Sequence, residues 1–152
     1  MMVNLDLKLT CAIARSTHLL CDKWSLLILR DMLLHKKSRF KEFMESKEKI
    51  ATNILTNRIK SLTNADLIVL LDKNSTKKSR QYIATQKGIS TLPIILELYM
   101  FSIKDINESV LNDQQIQIKK QIISNSENFI NSKRIDYMAF KEDLLSKVIE
   151  HK

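Results

Sequence analysis

Glycine and proline are nearly absent from this 152-residue chain, which has one of each, Gly88 and Pro93. Average usage of about 7% and 5% predicts roughly ten and eight. A phosphate-cradling loop, a dinucleotide-binding fingerprint and a hydrolase nucleophile elbow each need clustered glycines, so none can be built here. Cysteine is as scarce: Cys11 and Cys21 alone make no disulfide framework and favour a reducing compartment. The histidines His18, His35 and His151 are scattered, and no C-x-x-C or H-E-x-x-H pairing signals a metal or cofactor site. No nucleophile–base or carboxylate pair stands out, so an enzyme is not expected. Long apolar runs are missing too, since Trp24–Leu29 and Leu67–Leu71 fall far short of a membrane span. Asp6 and Lys8 stand where a signal peptide needs an uncharged apolar stretch. The expectation is a soluble cytoplasmic protein without a membrane partner.

Charge is present, and it is unevenly placed. The net charge is +8. Residues 1–100 hold 17 basic and 9 acidic side chains, whereas residues 101–152 hold 8 of each. The whole excess therefore belongs to the first two-thirds. A basic domain followed by a neutral segment fits a nucleic-acid binder with a separate packing or assembly region; a basic surface that only aids solubility is the plainer explanation.

Abundant Leu, Ile, Lys, Asn and Ser favour helices on short polar links. Ala12–Leu20 reads as a short helix, and Asp22 is a good cap for the next. Trp24–Leu34 is apolar nearly all round, the mark of a buried central helix, closed by His35, Lys36 and Lys37 at the negative end of its dipole. Ser38 is the expected N-cap of a brief helix Arg39–Glu45. Ala51–Asn64 forms a longer helix burying Ile54, Leu55, Ile59 and Leu62. The pattern then turns to β: Leu67–Asp72 and Arg80–Thr85 flank the polar, basic stretch KNSTKKSR, a two-stranded hairpin with a charged tip. Helix returns at Gln86 and kinks or restarts near Thr91–Pro93, because proline fits best in a first turn.

That later helix carries two apolar stripes. Ile89, Leu92, Leu96, Tyr99, Ile103 and Ile106 form one; Ile94, Leu98 and Phe101 form the other. One stripe covers the domain's own core, and the second needs either a second copy of the chain or a C-terminal segment folded back on it. Residues 110–152 read as weaker helix with a joint over Ser124–Asn128, a polar break at Asn131–Arg134 and a final amphipathic helix through Met138, Leu145 and Val148. The expected division is a winged helix-turn-helix domain with its dimerisation helix over residues 1–109 and a helical extension over 110–152.

Helix, short helix, helix, then a hairpin with a basic loop is the order of a winged helix-turn-helix, mainly α with one small hairpin. In that geometry the second helix of the turn motif enters the major groove, where base edges are distinguishable. Here that helix is Ala51–Asn64. Its outward residues are Thr52, Asn53, Thr56, Asn57 and Lys60, and no Asp or Glu occurs between Ile50 and Ala65. An ordinary solvated helix face is the alternative. Lys73, Lys77, Lys78 and Arg80 crowd the hairpin tip, where they can reach flanking phosphates or the minor groove, or simply be solvated.

The stretch Cys11–Thr91 resembles the HxlR-type branch of the MarR-like winged-helix transcription regulators. Its members carry a cysteine before the first helix and then D-K-W-[ST]-x-x-I-L-x-x-L-L, here the run from Asp22 to Leu33. R-F-x-E-[LF] follows as Arg39-Phe40-Lys41-Glu42-Phe43, L-[ST]-x-R-[LI]-K-x-L as Leu55–Leu62, and Y-x-x-T-x-x-G as Tyr82–Gly88. Arg39 and Arg58, basic residues inside these blocks, join the DNA-binding candidates. The resemblance implies a homodimeric repressor or activator on double-stranded DNA with a palindromic operator, dimerised through the helix after Gly88. Three positions depart from the pattern. Ala51 replaces the usual N-cap serine, which leaves Thr52 as candidate cap; Asp66 replaces a turn glycine; Ala12 replaces a proline. Some members sense oxidants or electrophiles through the cysteine at the position of Cys11. Such chemistry needs an exposed thiolate, and Arg15 supplies a cation one turn away; a small buried hydrophobe is the alternative. Cys21, about 15 Å along a helix, is beyond disulfide reach and reads as core. A protein-interaction adaptor on the same scaffold is the alternative to a regulator.

Overall fold

Asp22 starts the central helix in the computed structural model, which describes residues 10–151. Helix α1 (Ala12–Leu20) ends just before it, and α2 (Ser25–His35) follows. The Trp24 and Ser25 amides donate to Asp22 Oδ1 at 2.8 and 2.9 Å, and the Ser25 hydroxyl donates to Oδ2. Burial works against this carboxylate, yet those three donors and Arg58 hold it below its usual pKa. The chain continues through α3 (Phe40–Met44), α4 (Thr52–Asn64), β1 (Ile68–Leu70), β2 (Tyr82–Ala84), α5 (Gln86–Ile89) and α6 (Leu92–Ile103). A 3-10 turn at Glu108–Val110 leads to α7 (Asp113–Ser124) and α8 (Ser126–Glu150).

The nearly all-apolar α2 is central, as its composition predicts. It buries Ile28, Leu29, Met32 and Leu33 and packs against α6, α8 and β2. Phe43 of α3, Leu55, Ile59 and Leu62 of α4, and Ile89 and Leu92 around the α5–α6 corner complete one core. The strands pair antiparallel in the register Ile68↔Ala84, Val69↔Ile83, Leu70↔Tyr82. The regular strands are shorter than the alternation suggested, although single bonds continue the pairing at each end, from the Leu71 amide to the Gln81 carbonyl at 2.8 Å and from the Thr85 amide to the Leu67 carbonyl at 3.1 Å. The Tyr82 amide donates to the Ser38 carbonyl at 2.8 Å, and Arg39 bridges to Gln81, so the segment before α3 is a third partner of the hairpin.

Two expected caps and one expected break are not found. Ser38 does not cap α3; it is buried, and its hydroxyl accepts from Gln81 Nε2 at 3.0 Å. The Glu42 carboxylate caps instead, accepting from the Ser38 and Arg39 amides at 2.7 and 3.2 Å. Thr52 does not cap α4 either: it is the first helical residue, and its hydroxyl lies 3.9 Å from Met44 Sδ. The polar break at Asn131–Arg134 is absent, because α8 runs unbroken to Glu150. Polar side chains without Gly or Pro do not stop a helix whose other face is packed. The joint is one residue, Asn125, whose side chain accepts from the Asn128 amide at 3.0 Å. Asn112 and Gln115 make a reciprocal capping box on α7 at 2.8 and 2.9 Å.

Gly88 sits where α5 crosses the start of β1. A Cβ there would overlap the Leu67 carbonyl oxygen, so the position needs glycine for close approach rather than for unusual dihedrals. Asp66, by contrast, occupies the left-handed region at φ 60° that glycine takes most easily. The Leu67 amide donates to the Leu62 carbonyl and the Asp66 amide to the Thr63 carbonyl, both at 3.0 Å, which closes α4 in a Schellman arrangement.

The C-terminal segment does fold back, but not onto the second stripe. Helix α8 packs on α2 and α6 and places Tyr137 wholly inside the core. The Tyr137 hydroxyl accepts from the Ala84 amide at 2.7 Å, and Lys141 Nζ donates to the Ala84 carbonyl at 2.8 Å. One residue of the hairpin is thus gripped on both backbone groups. Ile94, Leu98 and Phe101 stay 40%, 50% and 80% exposed.

Candidate nucleic-acid interface

Helix α4 has a dry side and a wet side. Leu55, Ile59 and Leu62 are buried, while Thr52, Asn53, Thr56, Asn57 and Lys60 are exposed together. Thr56 bonds back to the Thr52 carbonyl at 2.9 Å, which fixes its hydroxyl against the helix. The asparagine amides and Lys60 face outward with no carboxylate beside them on this helix. Arg58 behaves differently from its neighbours: its Nη1 reaches Asp22 Oδ2 at 3.2 Å, tying the middle of α4 to the start of α2. Its guanidinium positions the helix.

The hairpin tip is built from turns. Asp72 Oδ1 accepts from the Asn74 amide at 2.9 Å, the Asp72 carbonyl accepts from the Ser75 hydroxyl at 2.6 Å, and the Ser79 amide donates to the Thr76 carbonyl at 3.0 Å. Lys73, Lys77, Lys78 and Arg80 are exposed on it, as is Arg39 at its base. None of these five, nor Lys60, makes an ion pair among the described residues. Free cations on two adjacent elements are what a polyanion requires.

Sequence reasoning missed the brace behind this surface. Asp31 is buried in α2 and accepts from Arg30 at 2.7 Å, from Lys37 at 3.3 Å and from the Ser46 hydroxyl. Arg30 also grips Glu48 with two bonds, at 2.8 and 3.0 Å. Those bonds hold the Glu48 carboxyl down to about 2, and Glu48 in turn raises the Arg30 guanidinium above its ordinary value. The network joins α2 to the turns on either side of α3, and so sets the angle at which α4 is presented. One signal was available: a carboxylate in an otherwise apolar helix needs buried partners.

Cys11 is exposed at the N-terminus of α1. Cys21 is exposed too. It caps the C-terminus of α1 rather than lying in the core where it was expected.

A three-helix arrangement with a paired hairpin, a polar outward helix and a cationic tip defines a winged helix-turn-helix DNA-binding protein. The model of the HxlR-like helix-turn-helix family matches residues 19–110. The chain belongs to that family of DNA-binding transcription regulators, which are not enzymes. Among solved structures it is similar to PA1607, a candidate transcription factor, with 27% identity and a TM-score of 0.60 over 69% of this chain and 72% of that one. Looser likenesses are MarR of Staphylococcus aureus in complex with salicylate and kanamycin (19% identity, TM-score 0.46, 71% and 72% covered) and a SlyA-like transcription regulator from Listeria monocytogenes (17%, 0.46, 79% and 77%). No curated protein sequence matches the chain. Among the described residues, no helix is long and apolar enough to cross a membrane.

Proposed function

We propose that the protein is a homodimeric, cytoplasmic regulator that reads a palindromic operator in double-stranded DNA. The observation that carries this is the carboxylate-free outer face of α4 beside five unpaired cations of the hairpin and its base. Each subunit lays α4 in a major groove. Asn53 and Asn57 read base edges, Lys60 and Arg39 meet phosphates, and Lys73, Lys77, Lys78 and Arg80 hold the flanking backbone. Ile94, Leu98 and Phe101, still exposed after α8 has packed, support pairing through α6 and hence half-sites about one or more helical turns apart. Cys11, exposed near the start of the domain, supports regulation by thiol oxidation through an intersubunit or small-thiol disulfide.

Selection and sequencing from random duplexes, reduced and then mildly oxidised, tests all three parts. The expected result is an enriched palindrome, lost on oxidation but kept by Cys11→Ser. A palindrome indifferent to oxidation removes the thiol switch alone. No enrichment at physiological salt points to the adaptor instead. Lys77→Ala with Lys78→Ala should weaken every duplex alike and lower the salt slope by about two.

A further inference from the structure

A cavity of about 460 Å³ lies between α2, α6, α7 and α8, within the ~300–1,000 Å³ span of small-molecule sites. Branched aliphatic side chains make most of its wall: Leu92, Leu96 and Ile103 from α6, Ile118 and Ile122 from α7, with Phe129 of α8 closing one side. Half of this enclosure comes from residues beyond 110, outside the family-matched segment. The extension therefore adds a chamber that the matched domain does not contain by itself.

Its wall carries basic side chains, of which burial holds the His35 imidazole below its ordinary pKa. Arg30, His35 and Lys133 line it, and no carboxylate does. Arg30 is committed to Asp31 and Glu48. Lys133 is not committed: it makes no ion pair among the described residues, and its Nζ stands 5.4 Å from the centroid of the Phe129 ring. A half-buried ammonium at the edge of an aliphatic chamber recognises one kind of molecule, an apolar body ending in a single negative head. We infer that this cavity is a binding site for a medium-chain aliphatic carboxylate, with the chain among Leu96, Ile103 and Ile118 and the head on Lys133. An amine would meet a like charge, and a sugar or nucleotide would find only Tyr99, Gln114 and Gln115 for its hydroxyls in a wall that is mainly aliphatic. The inference stands on the cavity and not on the DNA reading, so its test contains no DNA.

Titration calorimetry of the full chain with sodium decanoate, below its micelle concentration, should give saturable binding of one molecule per chain. Decanol should bind about tenfold more weakly and decylamine not at all. Lys133→Met should weaken decanoate about tenfold and leave decanol unchanged, whereas Ile118→Trp should block both. A diazirine-bearing decanoate on the unmodified protein gives an answer independent of any variant's folding, with label expected on the α6, α7 and α8 peptides that line the cavity. Absence of saturable binding, equal affinity for acid and alcohol, or label confined to other surfaces would each overturn the assignment.

Discussion

Helices α4 and α6 are nearly equal in length, 13 and 12 residues, and each buries one side in the same core. What they leave outside differs completely. Helix α4 presents Thr52, Asn53, Thr56, Asn57 and Lys60; α6 presents Ile94, Leu98 and Phe101. Burial alone does not tell the two apart, since each packs an apolar side into the core; only α4 is amphipathic, whereas α6 is apolar on its outer side as well. The outer face names the partner: hydrogen-bonding and cationic groups suit a polyanion whose phosphates stay partly wet, and aliphatic and aromatic groups suit another apolar surface.

The largest test of this contrast falls on the corner that separates the two helices. Gly88→Ala should cost about 3 kcal/mol or more in denaturant unfolding, because the atom in the way is the Leu67 backbone carbonyl, itself held by the Thr85 amide. Next, aspartate placed on each outer face should separate the roles. Leu98→Asp with Phe101→Asp should weaken self-association about 100-fold by sedimentation equilibrium, at about 2 kcal/mol or more for burying unpaired charge, with the monomer still folded. Asn57→Asp should leave association intact and cost about 1–3 kcal/mol of operator binding. If the α4 variant dissociated the dimer instead, the contrast would be wrong.

Smaller effects sharpen the comparison. Tyr137→Phe leaves the Ala84 amide without its acceptor, at about 2 kcal/mol, and shows whether α8 holds the hairpin at its working angle to α4. Asp66→Gly at the end of α4 should add up to about 1 kcal/mol of stability by relieving the left-handed residue. The smallest effect is at Glu48. Its folded value near 2 lies below the ordinary 4.5, so its contribution is complete above about pH 4.5 and is lost as pH falls toward 2. The side chain is about a third exposed, which limits the contribution to roughly 0.5 kcal/mol by solvent screening. Glu48→Gln should flatten acid unfolding in that window.

Much of this was legible in the residues. The period of the apolar positions located α2, α4 and both stripes of α6; Asp22, Pro93 and the KNSTKKSR tip placed a cap, a helix start and a turn. The misses share a cause. Ser38, Thr52 and Asn131–Arg134 have local propensities that point one way, and each was overruled by a partner distant in sequence or by continued packing: Gln81 took the Ser38 hydroxyl, Met44 met Thr52, and the core behind Tyr137 carried α8 through its polar stretch. The DNA-binding candidates were proposed from face and charge; among them Arg58 pairs with Asp22, 36 residues earlier, which no local pattern indicated.

The sequence by itself determined the element order, the polar face of α4, the cationic hairpin and the family, since these depend on composition and on periods of two to four residues. Only the tertiary structure decided that α8 delivers Tyr137 and Lys141 to Ala84, that Asp31, Arg30 and Glu48 brace the turn motif, and that the extension encloses a chamber while leaving Ile94, Leu98 and Phe101 bare. Those outcomes depend on which surfaces meet across dozens of residues, and no local period encodes that choice; it is fixed when the whole chain competes to cover one core.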